Sequence, residues 1–156
     1  MQEAFKEARL KAMRLLTARD YTEQGLKDKL ARGGFTEDAV EDALTYVKSF
    51  GYIDDLRYAE NYMRCSNGVR SRREAERKLL AKGVSPELVR EAMDAEYPEG
   101  EGEDDLIRQL IRKRCKNLEE PDYKARQKLL AYMYNKGFSP DRVNRILDQV
   151  LLDITS

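Results

Sequence analysis

The chain has 156 residues, 41% hydrophobic and 37% charged, with 9 Gly, 4 Pro and no His, enough for one domain or a short array of small ones and rich in helix formers. Its 29 basic and 29 acidic residues cancel, which argues against a generic polyanion binder with a uniformly basic surface. No apolar run approaches the roughly 18 residues of a bilayer span, and "MQEAFKEARLKAM" lacks the apolar stretch of a signal peptide, so a cytoplasmic location is expected.

In chain order, residues 4–17 place Phe5, Ala8, Ala12 and Leu15 on one side of a first helix, and Leu26 and Leu30 mark a second. Gly25 lies inside that second helix and costs about 1 kcal/mol against alanine. The phrase "GGFTEDAV", Gly33 to Val40, then closes it and starts a third. Gly34 stands where a left-handed residue ends the last turn. Thr36 is placed to cap the next helix, Glu37 and Asp38 meet its positive end, and Phe35 with Val40 has the spacing of a hydrophobic staple. Val40, Ala43, Leu44 and Val47 continue as one apolar stripe.

The same grammar then repeats twice. In "YIDDLRYAENYM", Asp54 caps a helix, Asp55 adds charge to its first turn, and Ile53 and Tyr58 form a staple. Ala75 and Leu79 mark the next helix, and "KGVSPELV", Lys82 to Val89, repeats the junction with Gly83, Ser85 and Pro86, leading into Val89, Ala92 and Met93. The segment "YPEGEGEDD", Tyr97 to Asp105, is acidic and broken by Pro98, Gly100 and Gly102, which predicts a flexible hinge. Beyond it, residues 103–116 place Leu106, Ile107, Leu110 and Ile111 inward, "NLEEPDY" from Asn117 to Tyr123 is a loop, and Leu129 and Met133 mark another helix. "KGFSPDRV", Lys136 to Val143, closes the series with Gly137, Ser139 and Pro140 before Val143, Ile146, Leu147 and Val150.

The matched glycines are 49 and 54 residues apart, lengths that suit three helices each. The expected architecture is therefore all-α: a tandem array of three three-helix repeats, residues 1–50, 51–97 and 98–156, forming an elongated, curved monomer with the last repeat behind the hinge.

Nothing in the chain resembles an active site. Without histidine, the usual general base and the Ser/His and Cys/His nucleophile pairs are missing, and no phosphate-cradling glycine loop is present. Asp54 with Asp55, and Glu103 with Asp104 and Asp105, could hold the cations of a metal-dependent nuclease. Both clusters open helices, however, where acids are favoured by the dipole alone. No catalytic residue, metal or cofactor is expected. Cys65 and Cys115 have neither a CxxC neighbour nor a histidine, which predicts reduced, partly buried thiols.

Two basic runs stand out: "RSRREAERK" with Arg70, Arg72, Arg73, Arg77 and Lys78, and "RQLIRKRCK" with Arg108, Arg112, Lys113, Arg114 and Lys116. Arg73 and Arg77 are four apart, as are Arg108 and Arg112, so each pair shares a helix face. Acids gather elsewhere, at Glu37, Asp38, Glu41 and Asp42. Either the runs are solvated faces with internal ion pairs, as Glu74 and Glu76 suggest for the first, or they form a surface that meets phosphates or an acidic protein face.

The stretches "RDYTEQGLKDKLARGGF", "FGYIDDLRYAENYM" and "RREAERKLLAKGVSPELV" resemble the RecX family of bacterial regulators of the RecA recombinase, from about Leu15 to Leu147, with "GYIDDLRYA" as the most specific element. The chain departs from the family pattern at Gly25, where an acid is favoured, and at Asn67, where a base is more usual. The resemblance implies a row of three-helix modules without catalytic activity, acting in DNA recombination and repair and the SOS response. It also implies binding to RecA and to its filament on single-stranded DNA, with restraint of ATP turnover and strand exchange. On that reading the ten cations of the two runs, with Arg57 as a further candidate, contact RecA carboxylates and DNA phosphate, while Tyr58 is a core staple residue. The alternative is a helical DNA-binding module that acts without RecA, and weak affinity for single- or double-stranded DNA is compatible with both.

Overall fold

The computed structural model describes residues 2–115 and 123–155. Among them are nine helices and no strand: α1 (Gln2–Ala18), α2 (Glu23–Arg32), α3 (Glu37–Ser49), α4 (Asp55–Ser66), α5 (Arg72–Ala81), α6 (Pro86–Glu96), α7 (Glu101–Arg114), α8 (Tyr123–Asn135) and α9 (Pro140–Thr155). They follow one another as three three-helix repeats. The apolar pairs expected on each second helix, Leu26 with Leu30, Ala75 with Leu79 and Leu129 with Met133, are all buried. Residues 117–122 of the expected loop, like Lys116 before them, lie outside the described residues, and Tyr123 instead opens α8 as an exposed residue.

The repeated glycine phrases form the junctions that their residue types dictate. Gly34, Gly83 and Gly137 take φ of 89°, 90° and 98°. At the second and third, the Gly83 amide donates to Leu80 O and the Val84 amide to Leu79 O, while Gly137 and Phe138 donate to Tyr134 O and Met133 O. These paired bonds satisfy carbonyls that a helix end leaves open. Thr36 Oγ1 accepts from the Ala39 amide at 3.3 Å, Ser85 Oγ from Leu88 at 3.4 Å, and Asp54 Oδ1 from Arg57 at 3.0 Å.

The chain divides into two compact units, residues 1–62 with 78–92 and residues 63–77 with 93–156. In the first, Ala8 and Ala12 of α1 join Leu26 and Leu30 of α2 and the stripe Val40, Ala43, Leu44 and Val47 of α3 in one core. A bidentate pair, Arg9 Nε and Nη2 to Asp42 at 2.8 and 2.9 Å, ties α1 to α3 and holds the Asp42 carboxyl below its ordinary range. In the second, Leu106, Ile107 and Ile111 of α7 pack with Leu129 and Met133 of α8 and with Val143, Ile146, Leu147 and Val150 of α9. Arg126 reaches from α8 to Asn144 and Asp148 on α9.

Each unit also contains one joint between successive repeats, and the two joints are built alike. In the first, Thr22 caps α2 by accepting the Gly25 amide at 3.0 Å and donates its own proton to the Lys82 carbonyl at 2.7 Å. In the second, Ser71 accepts the Glu74 amide at 3.0 Å and donates to the Lys136 carbonyl at 2.6 Å. Both hydroxyls are buried, and both acceptor carbonyls immediately precede a left-handed glycine.

The first amide of each capped helix is taken up by a carboxylate from the next repeat. Glu23 N donates to Asp55 Oδ1 at 2.8 Å, and Arg72 N to Glu103 Oε2 at 2.7 Å. Burial pushes the Asp55 carboxyl above its ordinary value. The glycine completes the fit, because a Cβ on Gly83 would overlap Gln24 Cβ, and one on Gly137 would lie 2.5 Å from Ser71 Oγ.

Two expectations are amended. Cys65 is exposed rather than partly buried, and Cys115 is half-buried, both as free thiols. Met93 is only half-buried beside the buried Val89 and Ala92. In the acidic segment expected as a flexible hinge, Tyr97 is fully buried and Glu103 is 6% exposed. The family departures also have local roles, since Asn67 Nδ2 donates to the Glu96 carbonyl at 3.3 Å and Gly25 sits against the Thr22 cap.

Thr22→Val should remove a cap and a joint bond together, costing about 2–3 kcal/mol, whereas Thr36→Val removes a cap alone and should cost about 1 kcal/mol. Thermal unfolding followed by circular dichroism measures the difference, and equal losses would mean that the bond to Lys82 adds nothing. By the same method Gly83→Ala should lower the midpoint well beyond Gly34→Ala. Both accept the left-handed strain, but only the first meets another side chain.

Candidate interaction surface

The first basic run divides as α5 begins. Arg70, half-buried, donates from Nη1 to Ser66 Oγ at 2.7 Å. Arg72 turns inward: its Nε donates to the Tyr97 carbonyl at 2.7 Å, its Nη1 lies 3.5 Å from Glu99, and its side chain is 17% exposed. Arg73 and Arg77 are exposed on α5 and form no salt bridge among the described residues. Lys78 is exposed as well. The face shared by Arg73 and Arg77 is therefore a pair of solvated guanidinium groups with unused donors, each able to grip a carboxylate or phosphate in bidentate fashion.

The second run divides similarly. Arg108 pairs with Asp105 one turn earlier, at 2.6 Å. Arg112, Lys113 and Arg114 occupy the last turn of α7 and are exposed, where positive charge complements the negative helix end. Arg114 stacks 3.3 Å from the centre of the Tyr132 ring, with Lys136 at 5.3 Å. Arg114 first, with Lys136 adding to it, holds the Tyr132 phenol below its ordinary range. Arg57 is exposed and donates to the Gly51 carbonyl at 3.3 Å, and Tyr58 beside it is half-buried.

What sets the start of α5 in place is a network that no sequence pattern announces. Arg142 of α9 donates from Nη1 to Glu103 Oε1 at 2.9 Å, from Nε to Asp104 Oδ1 at 2.6 Å and from Nη2 to the Gly100 carbonyl at 3.2 Å. Glu103 in turn receives the Arg72 amide, and Tyr97 donates its hydroxyl to the Arg70 carbonyl at 2.7 Å. Burial, and then the Glu103 charge, push the Tyr97 phenol up to about 12, so it remains a neutral donor throughout the physiological range. Thus Glu103 and Asp104, expected as acids favoured by a helix dipole, are half of an ion-pair cluster. Asp54 and Asp55 are likewise engaged by backbone amides. Arg142 and Tyr97 carried no signal of their own, because their partners lie 25 to 42 residues away along the chain.

Comparison with known proteins places this arrangement. Residues 8–46 match the first three-helix domain of RecX and residues 101–147 the third. The regulatory protein RecX of Caldanaerobacter subterraneus subsp. tengcongensis is 34% identical over 144 residues, 92% of this chain and 70% of that protein. The regulatory protein RecX of Mycobacterium ulcerans is 32% identical over 139 residues, 86% of this chain and 79% of that protein. The crystal structure of RecX from Lactobacillus salivarius shares the fold with a TM-score of 0.84 at 19% identity, over 97% of this chain and 99% of that one. Two RecX domains in order along the chain, and relatives of this identity spanning nearly all of it, mean that the chain belongs to the RecX family.

Proposed function

We propose that this chain acts without catalysis, binding the RecA recombinase and its filament on single-stranded DNA and restraining ATP turnover and strand exchange. Family membership and the likeness to RecX regulators of RecA support the partner. The observation that carries the reading is the exposed pair Arg73 and Arg77, which enters no salt bridge among the described residues. An internal ion-pair lattice would have consumed these groups. Left in water, they lose little on binding beyond hydration, and a bidentate bond to a carboxylate returns that and fixes orientation.

Arg112, Lys113 and Arg114 supply a second cationic element on α7, and Lys78 and Arg57 add charge elsewhere on the chain. Arg72 belongs to the support: its hydrogen bonds hold the start of α5 and leave the next residue outward. Restraint then needs no chemistry. A ligand that touches more than one filament subunit resists motion between them by as much as it prefers one arrangement, and several modest contacts on one chain reinforce one another.

The double reversal Arg73→Glu with Arg77→Glu should weaken inhibition of RecA's DNA-dependent ATPase by at least about tenfold and leave helicity and the unfolding midpoint near the parent values. Undiminished inhibition would remove α5 from the contact. Binding to naked single-stranded DNA, measured against salt, separates the alternative of a DNA module acting alone. The RecA reading predicts weak binding there and tight binding only to the filament, whereas a steep salt dependence with tight naked-DNA binding would favour the alternative.

A further inference from the structure

The outward face of α8 carries charge that neither the joints nor the α5 face uses. From Tyr123 to Pro140 the chain has Lys124, Arg126, Lys128 and Lys136 and no Asp or Glu. Arg126 is taken up within the unit by Asn144 and Asp148 of α9. Lys124, Lys128 and Lys136 are exposed, and none of them enters a salt bridge among the described residues.

The three lysines form one row with Tyr132. Positions 124, 128, 132 and 136 are four apart, so successive side chains rise about 6 Å and turn about 40° around the helix axis. Lys136 follows the last residue of α8, but its amide still donates to the Tyr132 carbonyl at 3.2 Å, so the row keeps its helical course to the end. Its carbonyl receives the Ser71 hydroxyl, which fixes that end in place. The row winds from the outer face of α8 to the flank where α7 ends. There Arg114 lies 3.3 Å from the centre of the Tyr132 ring, and Lys136 Nζ lies 5.3 Å from the same centre. One ring thus gathers cations from two helices.

We infer that α8, with the end of α7, is a binding surface for the phosphodiester backbone of a single nucleic-acid strand, held by Lys124, Lys128, Lys136 and Arg114. Lys124 and Lys128 stand one turn apart and repel each other, a cost that an anion between them turns into attraction. Lysine also distinguishes this face from α5. Protein interface cores are enriched in arginine and depleted of lysine, whereas a row of ammonium point charges suits the evenly spaced charges of a polyphosphate and releases its counterions. Tyr123 and Tyr134 on the same helix are 80% and 58% exposed. Their uncovered rings can stack on unpaired bases, whose faces a duplex keeps hidden. With four cations the binding is weak and set by salt, and it adds to the α5 contact without replacing it.

The test is fluorescence anisotropy of a labelled oligothymidylate of about twelve nucleotides, with the full chain and without RecA, at about 20 to 200 mM salt. Four phosphate contacts predict a slope of log affinity against log salt of about −3. The combined variant Lys124→Gln, Lys128→Gln and Lys136→Gln should lower the low-salt affinity at least about tenfold and bring the slope to about −1, while melting like the parent. Removing the same charge from the first unit, with Lys6→Gln, Lys11→Gln and Lys29→Gln, should leave the affinity within about twofold. No binding by the parent at low salt, equal losses in the two triple variants, or an unchanged slope in the first would overturn the proposal. So would tighter binding of a duplex of the same length, or of a polyglutamate peptide, since a double helix or an acidic protein segment would then be the occupant. Because RecA is absent, these outcomes are read separately from those of the α5 reversal.

Discussion

A helix N-terminus exposes amide groups that the helix itself cannot satisfy, and the joints between repeats are organised around that shortage. Thr22 and Ser71 do more than cap. Each spends its lone pair on its own helix and its proton on a carbonyl of the following repeat. An aspartate would cap equally well but has no proton to give, so the joint, and not the helix, demands a cap that can also donate. Because both hydroxyls are buried, an unmade bond would leave a polar group without water, which makes the alternative arrangements of the repeats costly.

The rest of each joint follows from the close approach this bond enforces. With a carbonyl and a hydroxyl in contact, the adjacent residue has no room for a side chain, and the same position already demands a left-handed backbone. Two independent constraints thus meet on Gly83 and on Gly137. The carboxylates that complete the joints solve one problem by different routes. Asp55 enters at the first residue of α4 and is desolvated, so its proton is held more tightly than usual. Glu103 enters two residues into α7 with a longer side chain and an arginine, Arg142, against it.

Charge is divided by the same logic. Arginines with their heads on backbone carbonyls or buried acids, Arg72 and Arg142, build the interior of the second unit. Those one residue or one turn away, Arg73 and Arg77, face water. A balanced total charge therefore coexists with a cationic helix face, and part of the balancing acid is engaged in caps, joints and pairs such as Asp42 with Arg9.

The helices, their apolar stripes and their glycine junctions were legible in the amino-acid sequence, since each depends on neighbours within four or five residues: the spacing of Leu26 and Leu30, or the succession of Gly83, Ser85, Pro86 and Val89. The family was legible too, from "GYIDDLRYA". Which cations would remain outside was not. Arg72 and Arg73 are adjacent and chemically identical, and only the arrival of the Tyr97 carbonyl and of Glu103 from α7 turns one of them inward. The joints were hidden for the same reason, because a hydroxyl and its carbonyl sixty or more residues away leave no periodicity. Local sequence determines where a helix starts and stops; what its first turn holds is decided by the partner that folding brings to it.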